Sequence, residues 1–188
     1  MHQFDFQDTP IIISVKNNQA LKKSLQSNIP IVFLMYGDIV TLPGVIAQLK
    51  EHHKTVLVHL EFIEGLSNHE VVLTYIKKVC HADGIITTKR SLIEPAKRLG
   101  LITILRFFVI DHLSIDNIVA QLRTVRPDMV EVLPALIPMV ISSLKELINV
   151  PIVTGGMVTS KKDVIQALNA GALCVSASSE EVWSLLAD

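Results

Sequence analysis

Eight short apolar runs recur along this chain, and stretches of mixed polarity separate them. The runs are continuous and do not alternate apolar with polar residues, which is typical of strands buried on both faces of a parallel sheet. They begin near Ile11, Ile31, Thr55, Gly84, Leu101, Met129, Ile152 and Leu173. The pattern therefore predicts eight strands at the centre of the molecule.

The stretches between the runs have the periodicity of amphipathic helices. Helices are predicted over residues 17–27, 42–53, 67–81, 91–99, 114–126, 135–148, 160–169 and 179–186. Four Ser-x-x-Glu/Asp motifs are typical of capped helix starts, namely Ser67/Glu70, Ser91/Glu94, Ser160/Asp163 and Ser178/Glu181.

Eight alternations of strand and helix predict an α/β fold, a compact (β/α)8 TIM-type barrel. No linker or low-complexity stretch divides the chain, so a single domain is expected over residues 1–188. Because such barrels usually have at least roughly 200 residues, an irregular or partly open barrel is the alternative.

Composition narrows the class of protein. Apolar residues make up 49% of the chain and the net charge is −1, which favours a globular protein over a disordered one. The two cysteines are far apart in the sequence, as expected for reduced thiols. With no visible export signal and no apolar stretch long enough to cross a bilayer, we expect a cytoplasmic protein without a membrane partner.

A phosphate site is predicted at strands seven and eight. Gly155 and Gly156 follow strand seven, and glycine amides can approach a bulky anion closely. Ser176 and Ala177 end strand eight, and Ser178 is expected to begin a helix whose N-terminus favours an anion. In TIM-type barrels the loops after these two strands often bind phosphate.

Charged and polar residues also stand near the ends of the other strands, where barrel proteins collect their functional groups. They are Lys16, Asp38, His59, Glu61, Lys89, Arg106 and Glu131. Each has a structural alternative. Arg106 and Glu131 can form an internal ion pair, His59 can be a hydrogen-bonded core histidine, and Asp38 can cap a loop. Lys16 and Lys89 can be solvated.

Other chemistries lack a signature. The histidines and cysteines do not have metal-ligand spacing, so no metal or cofactor is expected. The chain contains no nucleophile elbow, Walker loop or GxGxxG fingerprint, and no catalytic residue is assigned.

Seven segments of the chain carry a family resemblance, namely PIIISVKN (10–17), VFLMYGDI (32–39), VLVHLEFIEGLS (56–67), ADGIITTK (82–89), GLITILRFFVID (100–111), VRPDMVEVLPALIPMVI (125–141) and VPIVTGGMVTSKKDVIQALNAGALCVSAS (150–178). They resemble those of one bacterial family, the glycerol-3-phosphate-responsive antiterminators that regulate glycerol uptake operons. The resemblance covers essentially the whole chain. It implies a barrel that senses glycerol 3-phosphate and acts on the leader mRNA of glycerol operons, so that transcription passes a terminator.

The residues suggest how that ligand would bind. Its phosphate would lie at Gly155, Gly156 and residues 176–178, and its glycerol end would extend toward the seven polar residues at the strand ends. The RNA side is marked only by basic pairs on helices, of which Lys77, Lys78, Lys97 and Arg98 are the candidates. Since these charges are sparse, a homodimer that doubles the contacts is expected.

The alternative is an enzyme of another class. A phosphate-binding barrel can act as an aldolase, isomerase or epimerase on a small phosphorylated substrate, with Glu61, Glu131, Lys16 or Lys89 as candidate groups. The whole-length resemblance favours the regulator, which is not expected to be an enzyme.

Overall fold

Eight parallel strands close into a barrel in the computed structural model, which describes residues 6–186. Each strand pairs with the next along the chain, and the last pairs back with the first. The strands are β1 (Ile11–Val15), β2 (Ile31–Leu34), β3 (Thr55–His59), β4 (Gly84–Thr87), β5 (Ile102–Phe108), β6 (Met129–Leu133), β7 (Ile152–Gly155) and β8 (Cys174–Ala177). The closed ring confirms the predicted barrel, and the partly open alternative is wrong.

A helix follows every strand, so the predicted alternation is also confirmed. The helices are α1 (Asn18–Gln26), α2 (Leu42–Glu51), α3 (Val71–Lys78), α4 (Ile93–Arg98), α5 (His112–Leu122), α6 (Pro138–Leu147), α7 (Lys161–Asn169) and α8 (Glu180–Trp183). Short 3-10 helices lie at Phe6–Asp8, Leu60–Phe62, Arg90–Leu92 and Ser184–Leu186. Several α-helices, α8 above all, are shorter than the sequence predicts.

The barrel interior is packed with apolar side chains. Successive residues of a strand point to opposite faces, so every second residue points to the barrel axis. One buried cluster fills the axis and includes Ile12, Phe33, Leu57 and Ile104, with Phe6 of the first 3-10 helix packed against its other members. Each such side chain contributes about 1.5–3 kcal/mol of burial free energy.

A larger buried cluster lies between the strands and the helices. It joins the outward residues of the strands, such as Ile13 and Val58, with helix residues such as Leu49, Ile76 and Leu144. All positions of most strands are therefore buried, which explains why the apolar runs in the sequence are continuous.

Only one of the four predicted capping boxes forms. In α7, Ser160 accepts a hydrogen bond from the Asp163 amide at 3.3 Å, and Asp163 accepts one from the Ser160 amide at 2.9 Å. The prediction at Ser67 is wrong, because α3 begins at Val71 and the Ser67 hydroxyl bonds the His69 amide instead.

The other two boxes are also wrong. Ser91 lies inside the 3-10 helix Arg90–Leu92, so it does not cap α4. The helix predicted to begin at Ser178 begins at Glu180, where Ser179 is the N-cap and makes no side-chain capping bond.

Over residues 6–186, no helix is long and apolar enough to cross a membrane.

Candidate functional site

A cavity of about 340 Å³ opens at the carboxyl ends of the strands, the end that we call the mouth. Its wall comes from the ends of β1, β2, β5 and β6 and, for the greater part, from the ends of β7 and β8 and the loops that follow them. It is lined by Ser14, Lys16, Met35, Arg106, Glu131, Leu133, Gly156, Met157, Val158, Thr159, Ser176, Ala177, Ser178 and Ser179. The cavity therefore lies at the two strands for which the sequence predicts a phosphate site.

Gly155 makes room for the floor of the cavity. It pairs in register with Ser176, and a Cβ on Gly155 would lie only 2.1 Å from Ser176 Oγ and 3.3 Å from Glu131 Oε1. No larger residue fits at that distance. Gly155 itself does not line the cavity, so its contribution is space for the Ser176 side chain.

The next two residues turn the chain over the cavity. Gly156 has a φ of 78° and Met157 a φ of 63°, both in the left-handed region. For methionine this conformation costs about 1–2 kcal/mol, because its Cβ approaches the following carbonyl oxygen. Such backbone strain is often found at ligand-binding loops.

The turn leaves backbone amides without protein acceptors. Among residues 6–186, the amides of Gly156, Met157, Val158, Ser178 and Ser179 donate to no backbone or side-chain oxygen. All five residues line the cavity, three on one side and two on the other. Unpaired amides that converge on one space are the usual protein binding site for a phosphate.

Helix α8 adds little to this arrangement. It has only four residues, Glu180–Trp183, and Glu180 and Glu181 in its first turn are negatively charged. The predicted contribution of a helix N-terminus after β8 is therefore smaller than the sequence suggests, and the free amides of Ser178 and Ser179 remain.

A buried ion pair forms the floor. Arg106 Nε donates to Glu131 Oε2 at 2.6 Å, and Ser176 Oγ donates to Glu131 Oε1 at 2.8 Å. Both charged side chains are almost completely buried, and the two residues are register partners on β5 and β6. The structural alternative of an internal pair is thus what the structure shows. Removal of either partner from a buried pair of this kind strongly lowers the stability of the fold, because the other charge is left buried without compensation.

Arg106 still has hydrogen-bonding capacity toward the cavity. A guanidinium carries five N–H donors, and only Nε is used by Glu131. In the described part of the chain, its two terminal nitrogens make no hydrogen bond, and they are not among the buried atoms without a partner. They therefore have access to the cavity that Arg106 lines.

Lys16 is the second cation of the cavity. It follows β1, its side chain is exposed, and within residues 6–186 it forms no ion pair or hydrogen bond. The charged residues of the lining are Lys16, Arg106 and Glu131, and since Arg106 and Glu131 balance each other, Lys16 leaves the cavity with one net positive charge.

Asp38 and Lys89 lie outside the cavity wall. Asp38 Oδ1 accepts hydrogen bonds from the amides of Val40 and Thr41, both at 2.8 Å, and the bond from the Thr41 backbone lowers the pKa of Asp38. Asp38 is therefore a loop-capping residue. Lys89 is exposed, and its amide donates to Thr87 Oγ1 at 3.0 Å.

Glu61 belongs to a separate polar cluster above β3 and β4. Its Oε1 accepts from Thr87 Oγ1 at 2.6 Å and from the Thr88 amide at 2.9 Å. Burial acts to raise the pKa of Glu61, but His59 and these hydrogen bonds outweigh it and lower the pKa to about 2. Glu61 is held as a carboxylate, so it is a poor proton donor.

His59 is buried without a hydrogen bond. Its Nδ1 lies 3.2 Å from Glu61 Oε2, but the directions of the two groups do not suit a hydrogen bond, and Nε2 also has no partner among residues 6–186. The imidazole contacts Phe62 edge-on, with ring centroids 4.5 Å apart. Burial lowers the pKa of His59 and favours its neutral form. The predicted hydrogen-bonded core histidine is therefore buried but not hydrogen-bonded.

The structure thus brings together seven of the twelve predicted ligand-site residues. Those lining the cavity are Lys16, Arg106, Glu131, Gly156, Ser176, Ala177 and Ser178, whereas Gly155, Asp38, His59, Glu61 and Lys89 do not line it. The sequence analysis missed Ser14, Met35, Met157 and Ser179, among others. Ser14 and Met35 continue the inward alternation of β1 and β2, and that period of two was the signal that would have found them.

The basic residues predicted for RNA lie in the last turns of α3 and α4, and three of the four are engaged within the protein. Lys77 donates to Gly100 O at 3.0 Å, Lys97 donates to Arg126 O at 2.8 Å, and Arg98 lies 3.8 Å from Glu70. Lys78 is exposed and has no such partner within the described chain.

Within residues 6–186, no three His, Cys, Asp or Glu side chains are grouped so that they could hold a metal ion.

Comparison with known proteins gives a consistent picture. Residues 11–183 match the family described as glycerol-3-phosphate responsive antiterminator. The chain is 36% identical over 176 residues to the uncharacterised protein YgcP of Escherichia coli (strain K12). The aligned region covers 94% of this chain and 92% of YgcP.

Two solved structures are similar over nearly their whole length. The glycerol uptake operon antiterminator regulatory protein of Listeria monocytogenes str. 4b F2365 has a TM-score of 0.92 at 26% identity, covering 96% of this chain and 97% of that one. A glycerol uptake operon antiterminator-related protein of Thermotoga maritima MSB8 has a TM-score of 0.84 at 29% identity, covering 94% and 98%. Aldolases of 12–14% identity share the barrel alone.

Proposed function

Since this chain belongs to the glycerol-3-phosphate responsive antiterminator family, we propose that it binds glycerol 3-phosphate in the mouth cavity. We further propose that the liganded protein acts on the leader mRNA of a glycerol operon and lets transcription pass a terminator, as a cytoplasmic regulator with no enzymatic role.

The five unpaired amides carry the ligand proposal. A phosphate dianion has more acceptor sites than one side chain can satisfy, and Gly156, Met157 and Ser178, whose amides are unpaired, line the space from both sides. Lys16 and the terminal nitrogens of Arg106 supply the opposite charge. Charge-assisted hydrogen bonds of this kind contribute about 1.5–3 kcal/mol each.

The remaining space suits a small polyol. A volume of about 340 Å³ is near the lower end for ligand pockets and leaves room beside a phosphate for a three-carbon chain. Its hydroxyls would meet Ser14, Ser176 and the Arg106–Glu131 pair on the floor. Of the residues predicted for the glycerol end, we therefore keep the Arg106–Glu131 pair in that role and assign Lys16 to the phosphate, while Asp38, His59, Glu61 and Lys89 do not line the cavity.

Calorimetric titration with glycerol 3-phosphate tests this site. Lys16→Glu replaces an exposed, unpaired cation of the cavity with an anion, so we expect a loss of affinity of about tenfold or more without loss of folding. Lys22→Glu is the matched control, because Lys22 is an exposed lysine of α1 that does not line the cavity. Equal affinity of both variants would place the ligand elsewhere.

The RNA half of the proposal requires a different measurement. We expect the leader RNA to be retarded in a native gel only when glycerol 3-phosphate is present, because a ligand shifts a protein only toward the state that it binds better. Lys77→Glu/Lys78→Glu should weaken retention, whereas Lys161→Glu/Lys162→Glu, an exposed pair on α7, should not. Equal retardation of the RNA with and without glycerol 3-phosphate would contradict regulation by this ligand. Turnover of a phosphorylated sugar without RNA binding would favour the enzyme.

A further inference from the structure

Seven exposed apolar residues follow the three neighbouring strands β5, β6 and β7, beside the mouth cavity. We call the six of them that are at least 45% exposed the apolar rim. It consists of Phe108, Ile110 and Leu113 after β5, Leu136 and Met139 after β6, and Met157 after β7. Ile110, Met139 and Met157 are 88%, 76% and 73% exposed, which is unusual for residues of this kind in a folded protein.

The three segments of the rim form one surface. The Val109 amide donates to Leu133 O at 2.8 Å, and the Ala135 amide donates to Gly155 O at 2.7 Å. Each segment is thus tied to the end of the next strand around the barrel, and α5 packs against α6. The exposed side chains therefore lie side by side and not on separate faces.

The area of the apolar rim matches that of a protein interface. At about 200 Å² for a fully exposed residue of this size, the six exposed fractions correspond to at most roughly 800 Å², backbone atoms included. The largest apolar patch of a typical monomer is roughly 300–600 Å², whereas a stable interface takes roughly 800 Å² from each partner.

The apolar rim carries few charged residues, which favours a protein over a nucleic acid as its binding partner. No lysine or arginine lies within residues 108–113 or 134–139, so this surface does not suit an RNA backbone. The one carboxylate there, Asp111, is occupied as the N-cap of α5 through the Ser114 amide and hydroxyl. The net charge of −1 gives two copies of the chain no reason to repel each other.

We infer that the apolar rim is a homodimer interface, and that an anion in the neighbouring cavity strengthens the dimer. Two identical rims facing each other across a two-fold axis bury a standard-sized interface in total. The second half of the inference depends on the proposed effector site.

Met157 connects the two sites. Its amide is one of the five unpaired donors of the cavity, and its side chain belongs to the rim. An anion that accepts from this amide stabilises the left-handed conformation at φ 63°, which holds the side chain in the rim. By linkage, dimerisation raises the affinity for the anion by the same factor.

Sedimentation velocity across a range of protein concentrations tests the inference, in buffer free of phosphate, with and without glycerol 3-phosphate. We expect a wild-type dimer whose dissociation constant falls about tenfold with the ligand, within the usual range of coupling. Ile110→Glu/Met139→Glu should be monomeric in both conditions. Val79→Glu/Ile165→Glu is the matched control, since it changes two exposed apolar residues outside the rim and should sediment like the wild type.

The possible results separate the two halves of the inference. Circular dichroism should show that all variants are folded, because every substituted residue is on the surface. A rim variant that dimerises like the wild type overturns the interface. A wild-type dimer that is unaffected by glycerol 3-phosphate, although calorimetry shows binding, overturns the coupling. If calorimetry shows no binding but the rim variant loses the dimer, the effector proposal and the coupling fail and the interface stands.

Discussion

Two buried polar residues near the barrel mouth, Glu131 and His59, differ in how well their polar atoms are hydrogen-bonded. Both carboxylate oxygens of Glu131 accept hydrogen bonds, from Arg106 and Ser176, so its burial is compensated. His59 is equally buried, but neither ring nitrogen makes a well-directed hydrogen bond in the described chain, and the nearest acceptor is Glu61 Oε2 at 3.2 Å from Nδ1. A buried polar group without a hydrogen bond costs about 1–3 kcal/mol, so His59 lowers the stability of the fold.

We therefore predict that His59→Leu, which is similar in size, raises the free energy of unfolding by about 1–3 kcal/mol. Burial lowers the folded-state pKa of His59 below 6.5. The unfolded chain then binds the proton more readily, and the wild type loses stability as the pH falls below 6.5. The gain from His59→Leu should grow over that range.

Urea unfolding between pH 8 and pH 5, roughly the range in which a histidine titrates, measures this effect. His69→Leu is the control, because His69 is exposed in the loop before α3. The explanation is wrong if His59→Leu and His69→Leu change stability equally at every pH.

At the scale of elements, the same Ser-x-x-acid motif has different outcomes. Ser160 and Asp163 form both bonds of a capping box at the start of α7, and Asp163 also accepts from the Thr159 amide at 3.0 Å. After β8 the chain starts its helix two residues later than Ser178, and Trp183 Nε1 donates to Ala177 O at 2.8 Å. The packing of Trp183 thus accompanies a short α8 that the motif alone does not predict.

Ser160→Ala should lower the free energy of unfolding by about 1 kcal/mol, since it leaves the Asp163 amide without its cap. Ser178→Ala should change it by less than about 0.5 kcal/mol, because that serine is exposed and caps no helix. Denaturant midpoints of the two variants, measured side by side, decide the matter. An equal decrease in the free energy of unfolding for both variants would mean that the Ser160 capping bond does not stabilise α7.

At the scale of the whole molecule, the barrel and the position of its cavity were predictable from the sequence. Continuous apolar runs and their spacing were enough for the eight strands, because strands buried on both faces need such runs at every position. The position of the cavity at β7 and β8 was also predictable, since the adjacent Gly155 and Gly156 follow an apolar run at the place where such barrels often bind phosphate. The space that Gly155 leaves for Ser176 is visible only in the structure.

Side-chain pairing between neighbouring strands was predictable only in part, because the Arg106–Glu131 pair was one of two alternatives and the contacts of Glu61 were not predicted. Arg106 and Glu131 are 25 residues apart, and they meet because β5 and β6 are aligned in register. Glu61 has the same residue type as Glu131, but it lies over β4, where Thr87 and Thr88 bind it away from the cavity. The position of a residue near the end of a strand does not determine which of the two neighbouring strands will supply its hydrogen-bond partner.

The packed axis of the barrel has a consequence for signalling. From Phe6 at one end to Cys174 further along, apolar side chains fill the core, and close-packed interiors do not deform continuously. A metabolite bound at the open end therefore could not pass through the centre to the opposite end of the molecule. Such a ligand would act most directly on the loops around the mouth, by changing which surfaces they present and which neighbours they meet.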